Sequence, residues 1–483
     1  MKNIAFPAIR ADTGKTAVPT QPMTELVGRL LANPPVARRR PARSDRGAFV
    51  TRFVQTPAVV SPDRELQGLF APLSDSEWDD LSIAGWGIAL PEAEREVLIP
   101  QLAPLLEMRQ AQVGSRYKVF TYRPDESMRE VLERHGLSPV EASPEDVPHY
   151  LLLVGDPAQV AFSSQYSLDR LFSVGRLALD QPEDYGRYAR NVVRHEHRTT
   201  SRRKATLFGT IHPDESTSAL SAAFLIQALG RRIANSVPAT HLRLDTRTAD
   251  AADKRTLSKL MGGALTPDFL LTATHGVMLP PGHARRRHLQ GAILCAEYPG
   301  AEGWHGKAIP PRMMFSGQDV TEDRDFNGML ALLFGCNSGG TPQRSSFPLE
   351  PHHRSLFESH EPFMAHLPRR MLAVQNGCRA VVAHVDTVYN WSFANRQKQE
   401  QTGPFQGFVK RLLEGRTVGY AMNLFQESYL EKTARYLELV ASHNEGDSQM
   451  SDDELVHAWL AVNDMRNYVL FGDPAVRLPQ LNL

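Results

Sequence analysis

The chain has 483 residues, room for two or three domains or for one large α/β enzyme with an extension. Its 54 basic and 54 acidic side chains cancel, which removes the global field that would draw it to nucleic acid or a charged membrane. Three cysteines, an odd and small number, oppose a disulfide framework and favour a reducing compartment.

Residues 1–75 are rich in Pro, Ala and Arg, with Ala37-Arg38-Arg39-Arg40-Pro41-Ala42-Arg43 as a basic cluster. This composition opposes burial and reads as a solvated, partly disordered leader, with docking of a regulatory partner as the alternative use. Met1-Lys2-Asn3-Ile4-Ala5-Phe6-Pro7 lacks the apolar core of a signal peptide. No stretch approaches the ~18 apolar residues of a membrane span. The expectation is a cytoplasmic protein with neither membrane nor nucleic-acid partners.

A globular pattern starts near Trp78. Residues 117–122 read as a strand, a helical run passes through Val131 and Leu132, and residues 151–154 form a second strand. With a charged, helical linker over 185–204 they make a first α/β subdomain, residues 76–200. The second, residues 201–483, opens on a run rich in strand formers at 205–211. Leu220, Phe224, Leu225 and Leu229 then recur at helical spacing. A short strand is expected at 241–244 and a short helix at 253–261. Two apolar runs follow, Phe269-Leu270-Leu271-Thr272-Ala273-Thr274-His275-Gly276 and Leu330-Ala331-Leu332-Leu333-Phe334-Gly335-Cys336-Asn337. Such runs, closed by Gly, read as central strands of a parallel sheet. Beyond them come a helix over 364–374, a strand over 379–385, helices near 408–413, 420–440 and 454–463, and a closing strand at 468–471. The alternation predicts an α/β fold, a mostly parallel sheet flanked by helices.

In open α/β sheets chemistry gathers at the carboxyl ends of the strands. His275 and Cys336 end two of them, a base beside a thiol, which is the pairing nucleophilic catalysis needs. A thiol attacks only as thiolate, and the turn-prone Asn337-Ser338-Gly339-Gly340 is expected to leave the sulfur at an open loop mouth. Cys295 and Cys378 suit the ordinary fate of a free cysteine, burial in the core. His195-Glu196-His197 has a spacing of two, which sends the pair to different helix faces, and His352-His353 adds no ligand pattern. Neither a metal nor another cofactor is expected. The basic runs at 284–288 and 368–371 read as solvated charge, with self-cleavage as the alternative.

The order His-Gly, then Cys at the next long apolar strand, resembles the caspase/gingipain clan of cysteine peptidases. Four further segments resemble its gingipain side: residues 150–157 ending in Gly155-Asp156-Pro157; Val174-Gly175-Arg176-Leu177 with Pro182-Glu183-Asp184, similar to the family's link between subdomains; Gly377 to Val385, similar to the strand bordering the specificity pocket; and residues 468–475 ending in Gly472-Asp473-Pro474-Ala475. The resemblance spans roughly residues 148–478. It implies a caspase-like fold and peptide cleavage through an acyl-thioenzyme, with Cys336 as nucleophile and His275 as acid–base. It also implies an oxyanion hole from the N–H groups of Gly276 and Cys336, no cofactor, and a protein or peptide substrate. The acid that reads a basic substrate side chain falls in the loop 209–215, giving Asp214 and then Glu215, unless they merely cap the next helix. Asp386 is the other source of that acid, and Tyr389 and Trp391 are the candidates for an aromatic wall. Cleavage after Arg or Lys follows if one of these acids is the selector. Intracellular members suggest regulated proteolysis of the defence or cell-death type. Two alternatives stand beside this: a non-catalytic interaction module on the same fold, and another Cys/His hydrolase or acyl transferase.

Overall fold

The structure, a computed structural model of the chain, describes residues 3–4, 8–17, 21–22, 27, 75–124, 126–136, 147–213, 216–304, 306–345, 361–444 and 451–482. Its centre is a ten-stranded sheet built from residues of both expected subdomains. In chain order the strands are β1 (Trp86–Pro91), β2 (Tyr117–Tyr122), β3 (Tyr150–Val154), β4 (Ser173–Leu177) and β5 (Arg203–Gly209). They continue with β6 (Leu242–Thr248), β7 (Phe269–Ala273), β8 (Leu330–Phe334), β9 (Ala380–His384) and β10 (Tyr468–Gly472). Across the sheet the order is β6-β5-β7-β8-β9-β10-β4-β3-β1-β2. Neighbours run parallel from β5 and β6 through β9, whereas β10 lies antiparallel on β9. This is the mostly parallel α/β sheet that the alternating pattern predicts.

All five residues of β7 and all five of β8 are buried. Covered on both faces, such strands cannot alternate apolar and polar residues, so each becomes a continuous apolar run. A Leu332→Ala truncation there removes buried methyl groups and destabilises by about 2–5 kcal/mol. His275 and Cys336 follow the ends of these runs, and both are still buried.

Two elements escaped the sequence pattern. Strand β1 carries Gly87 and ends on Pro91, and helix α1 (Arg95–Val113) contains Pro100 and Pro104. Local propensity opposes both. Tertiary packing decides otherwise: Leu98, Leu102, Leu105 and Leu106 bury one face of α1 in the main core. Val174 to Leu177, expected as a link, instead forms part of β4, which lies between β3 and β10. Helix α2 (Pro182–His195) follows it.

Part of the N-terminal leader joins the folded body. Ile9–Arg10 pairs in parallel with Val277–Met278. Ala8, Ile9, Ala11 and Ala17 are all buried: Ile9 and Ala11 fill a satellite core with Val277, Leu279 and Tyr298, and Ala8 and Ala17 join the main core. The basic cluster at 37–43 lies outside the described residues. Among the described residues no helix is long and apolar enough to cross a membrane.

Candidate active site

The β7–β8 ladder sets Ala273 opposite Phe334, and the Thr274 N–H donates to the Phe334 carbonyl at 3.1 Å. Two residues further along each strand stand His275 and Cys336. Equal displacement from a matched pair brings them side by side, on the period that repeats a strand face. The glycine after the histidine is required by that closeness. A Cβ on Gly276 would lie 1.9 Å from the Cys336 carbonyl oxygen and 2.9 Å from its nitrogen. Imidazole and thiol share one small cavity of about 10 Å³, lined also by Ser218, Ser221, Thr274 and Val388.

The thiol is not at an open loop mouth. Cys336 is 1% exposed, and its Sγ–H points to the Val388 carbonyl at 3.7 Å. Burial pushes its pKa up to about 12, so the resting sulfur is protonated. The cover is the segment after β9. Asp386 accepts the Asn337 N–H on its backbone carbonyl at 2.7 Å, and both residues take left-handed backbone angles, φ 74° and 55°. Further along, the carboxylate of Asp464 accepts the N–H groups of Tyr389 at 2.6 Å and Ser392 at 2.8 Å. Asp464 lies in helix α4, taking α3 as His366–Ala373 and α4 as Asp452–Arg466. Burial raises the Asp464 pKa to about 7, against the opposing pull of those N–H donors. Nothing local in the sequence links Cys336 to Val388 or Asp464, which is why the cover was illegible there.

The other expected site residues divide. Asp386 is buried beside the Cys336 strand, its carboxylate accepting the Ser345 hydroxyl at 2.8 and 3.0 Å and the Thr387 N–H at 2.8 Å. Tyr389 is buried within electrostatic reach of the Cys336 thiol, and burial holds its hydroxyl far above the usual range. Trp391 turns to α4, its ring edge-on to His457 at 4.2 Å. Asp214 and Glu215 lie outside the described residues. All three cysteines are buried, so burial does not distinguish them; the shared cavity with an imidazole distinguishes Cys336.

A second histidine was missed. His212, in the loop after β5, stacks on His275 with ring centroids 5.5 Å apart and planes at 27°. Its signal was a histidine just past a strand end, in the loop searched for acids. The basic runs are built into the fold in part: Arg286 is buried, its guanidinium over the Phe363 ring, and Arg369 pairs with Asp156 and Asp180, while Arg285 and Arg287 stay exposed. Among the described residues no group of three or more His, Cys, Asp or Glu could hold a metal ion.

No protein-family model matches the chain, and no curated protein matches it. Two solved structures are similar to it. One is a protease, 13% identical, with a TM-score of 0.45, covering 82% of this chain and 78% of that one. The other is the Saccharomyces cerevisiae separase–securin complex, 13% identical, with a TM-score of 0.33, covering 68% of this chain and 16% of that one.

Proposed function

We propose that the chain is a cysteine endopeptidase of the caspase-like kind, with Cys336 as nucleophile and His275 as acid–base. The observation that carries the reading is the matched register that sets His275 and Gly276 against Cys336 at the ends of adjacent parallel strands. In this scheme His275 takes the thiol proton and the thiolate attacks the scissile carbonyl carbon. The N–H groups of Gly276 and Cys336 meet the oxyanion, and the imidazolium returns its proton to the leaving amine. Water then cleaves the acyl-thioenzyme, giving its proton through His275 to the departing sulfur.

A cavity of about 10 Å³ is the size of roughly one water, so a peptide needs the 386–392 cover to move. A thiol closed at rest fits regulated rather than constitutive proteolysis, in keeping with an intracellular defence or cell-death role. Asp386 is the acid best placed to select a basic side chain, which favours cleavage after Arg or Lys; a buried carboxylate needs a cationic or hydrogen-bonding partner. The same covered thiol favours a second reading, a non-catalytic interaction module.

The test is a fluorogenic peptide panel with Arg, Lys, Asp, Asn or Leu before the scissile bond, run on wild type and Cys336→Ala, with circular dichroism to verify folding. Turnover of Arg and Lys peptides that disappears in Cys336→Ala supports the enzyme and its basic specificity. Cys336-dependent turnover of another peptide class keeps the enzyme and removes Asp386 as selector. Turnover of small-molecule esters alone points to a different hydrolase or acyl transferase. Silence of wild type, even after limited proteolysis to open the cover, supports the module.

A further inference from the structure

A general base needs its ring held, and in nucleophile–base pairs a third group commonly does so. Within the described residues the group stacked on His275 is another imidazole. His212 is 1% exposed, and its ring lies 5.5 Å from that of His275. Its Nδ1 stands 2.8 Å from the Tyr298 carbonyl. A carbonyl oxygen can only accept, so Nδ1 carries the proton, and the tautomer of His212 is fixed. The backbone N–H of His212 donates to Ser218 Oγ at 3.1 Å, and Ser218 itself lines the thiol cavity. The ring is therefore held at its edge and at its backbone, with one face turned to His275.

The hold extends outward. The Tyr298 ring meets His212 at 5.3 Å and 72°, and its hydroxyl donates to the Gly14 carbonyl at 2.6 Å. Gly14 belongs to the N-terminal segment 8–17, whose Ile9–Arg10 pairs with Val277–Met278 directly after His275-Gly276. The N-terminal segment thus touches the catalytic strand end twice: by a strand pair beyond Gly276, and through Tyr298 and His212 to the His275 ring.

We propose that His212 is the positioning residue of His275, and that the N-terminal segment fixes it through Gly14 and Tyr298. The proposal rests on the peptidase reading for its consequence, but its geometry stands without it. A flat ring within ~6 Å packs against the face of its partner and holds it, and in this scheme His275 becomes a cation when it takes the thiol proton. His212 acts on His275 and makes no contact with substrate in this scheme.

Full-length wild type, His212→Ala, His212→Gln, His212→Phe and Tyr298→Phe separate this from a merely structural role. The expected result is a fall in kcat of roughly 10- to 100-fold in His212→Ala and His212→Gln, with KM unchanged. His212→Phe, which keeps a flat ring, restores most of that loss; Tyr298→Phe lowers kcat by a smaller factor. Histidine-labelled NMR gives an arm that does not need turnover. The His275 ring signals, assigned by their loss in His275→Ala, should move in His212→Ala and Tyr298→Phe and return toward wild type in His212→Phe. Unchanged kcat and unchanged His275 signals in folded His212→Ala overturn the proposal, as does a parallel loss of kcat and melting temperature that His212→Phe fails to rescue. If wild type itself turns over no peptide, the peptidase reading fails and the NMR arm alone decides the role of His212.

Discussion

Around Asp473, side chains from separate elements close on one carboxylate. The Trp86 indole N–H donates to it at 3.0 Å and Arg109 Nε at 2.9 Å, and the Ala475 N–H folds back to it at 3.0 Å. Arg109 is fully buried and reaches on to Glu196, tying α1 to the end of α2. Around Cys336 the company is sparse by comparison: a carbonyl at 3.7 Å, a neighbouring imidazole, and space for about one water. Both clusters are buried and both sit just past the end of an apolar strand. The first is a staple, a charge neutralised by fixed partners in the resting fold. The second holds an ionisable group that burial keeps neutral beneath a closed cover.

Breaking the comparison at its reactive end should give the largest effect. Cys336→Ala should lower peptide turnover by at least ~10⁴-fold, with the far-ultraviolet circular dichroism spectrum retained; residual turnover within tenfold of wild type would remove Cys336 as nucleophile. Next in size is alkylation. With the Cys336 pKa near 12 against an ordinary 9.0, its thiolate fraction is lower by about 10³-fold. Iodoacetamide at neutral pH should therefore label Cys336 about that much more slowly in the folded chain than in urea, read by peptide mass mapping. Equal rates would show an open thiol.

The staple should respond in stability and not in chemistry. Arg109→Met leaves Asp473 and Glu196 buried without their cation, and such a break costs about 3–5 kcal/mol. Urea unfolding should report that loss, while turnover per folded molecule stays at the wild-type value. A matched glycine pair sharpens the contrast. A Cβ on Gly276 meets the Cys336 carbonyl oxygen at 1.9 Å, and one on Gly175 meets the Gly472 carbonyl oxygen at 1.9 Å. Gly276→Ala and Gly175→Ala should both destabilise by about 1–3 kcal/mol. Only Gly276→Ala should also lower kcat of the folded fraction, by roughly 10²- to 10³-fold, as the clash displaces the Gly276 N–H from the oxyanion.

A pH-dependent effect belongs to the cover. Folding raises the Asp464 pKa from an ordinary 3.8 to about 7, so the native state holds this proton more tightly than the unfolded chain. Its contribution is complete below pH ~4 and declines as pH rises through about 7. Asp464→Asn has no such proton, so its melting temperature should fall less between pH 4 and 7 than that of wild type. Identical slopes would mean that Asp464 stays ionised and that the N–H groups of Tyr389 and Ser392 outweigh burial.

Much of this architecture is written locally. The apolar runs at 269–273 and 330–334, each fixed as a strand by its own length and burial on both faces, were readable, and so were the residues that end them. The two Gly-Asp-Pro stretches turn alike after their strands: Asp156 accepts the Ala158 N–H at 3.0 Å just as Asp473 accepts that of Ala475. By contrast, α1 was hidden by its prolines, and the ordered piece of the leader by the composition around it.

The sequence by itself determined which side chains follow the ends of which strands, because the period of two and the length of an apolar run are properties of neighbours along the chain. The tertiary structure decided which of those ends meet. It placed β7 against β8 in a register that joins His275 to Cys336, laid Val388 over the thiol through an aspartate from a distant helix, and set His212 and the N-terminal segment behind His275. Those contacts join residues far apart in the chain, and they form only when the sheet order and the packing of its covering elements have been settled by burial of the whole core.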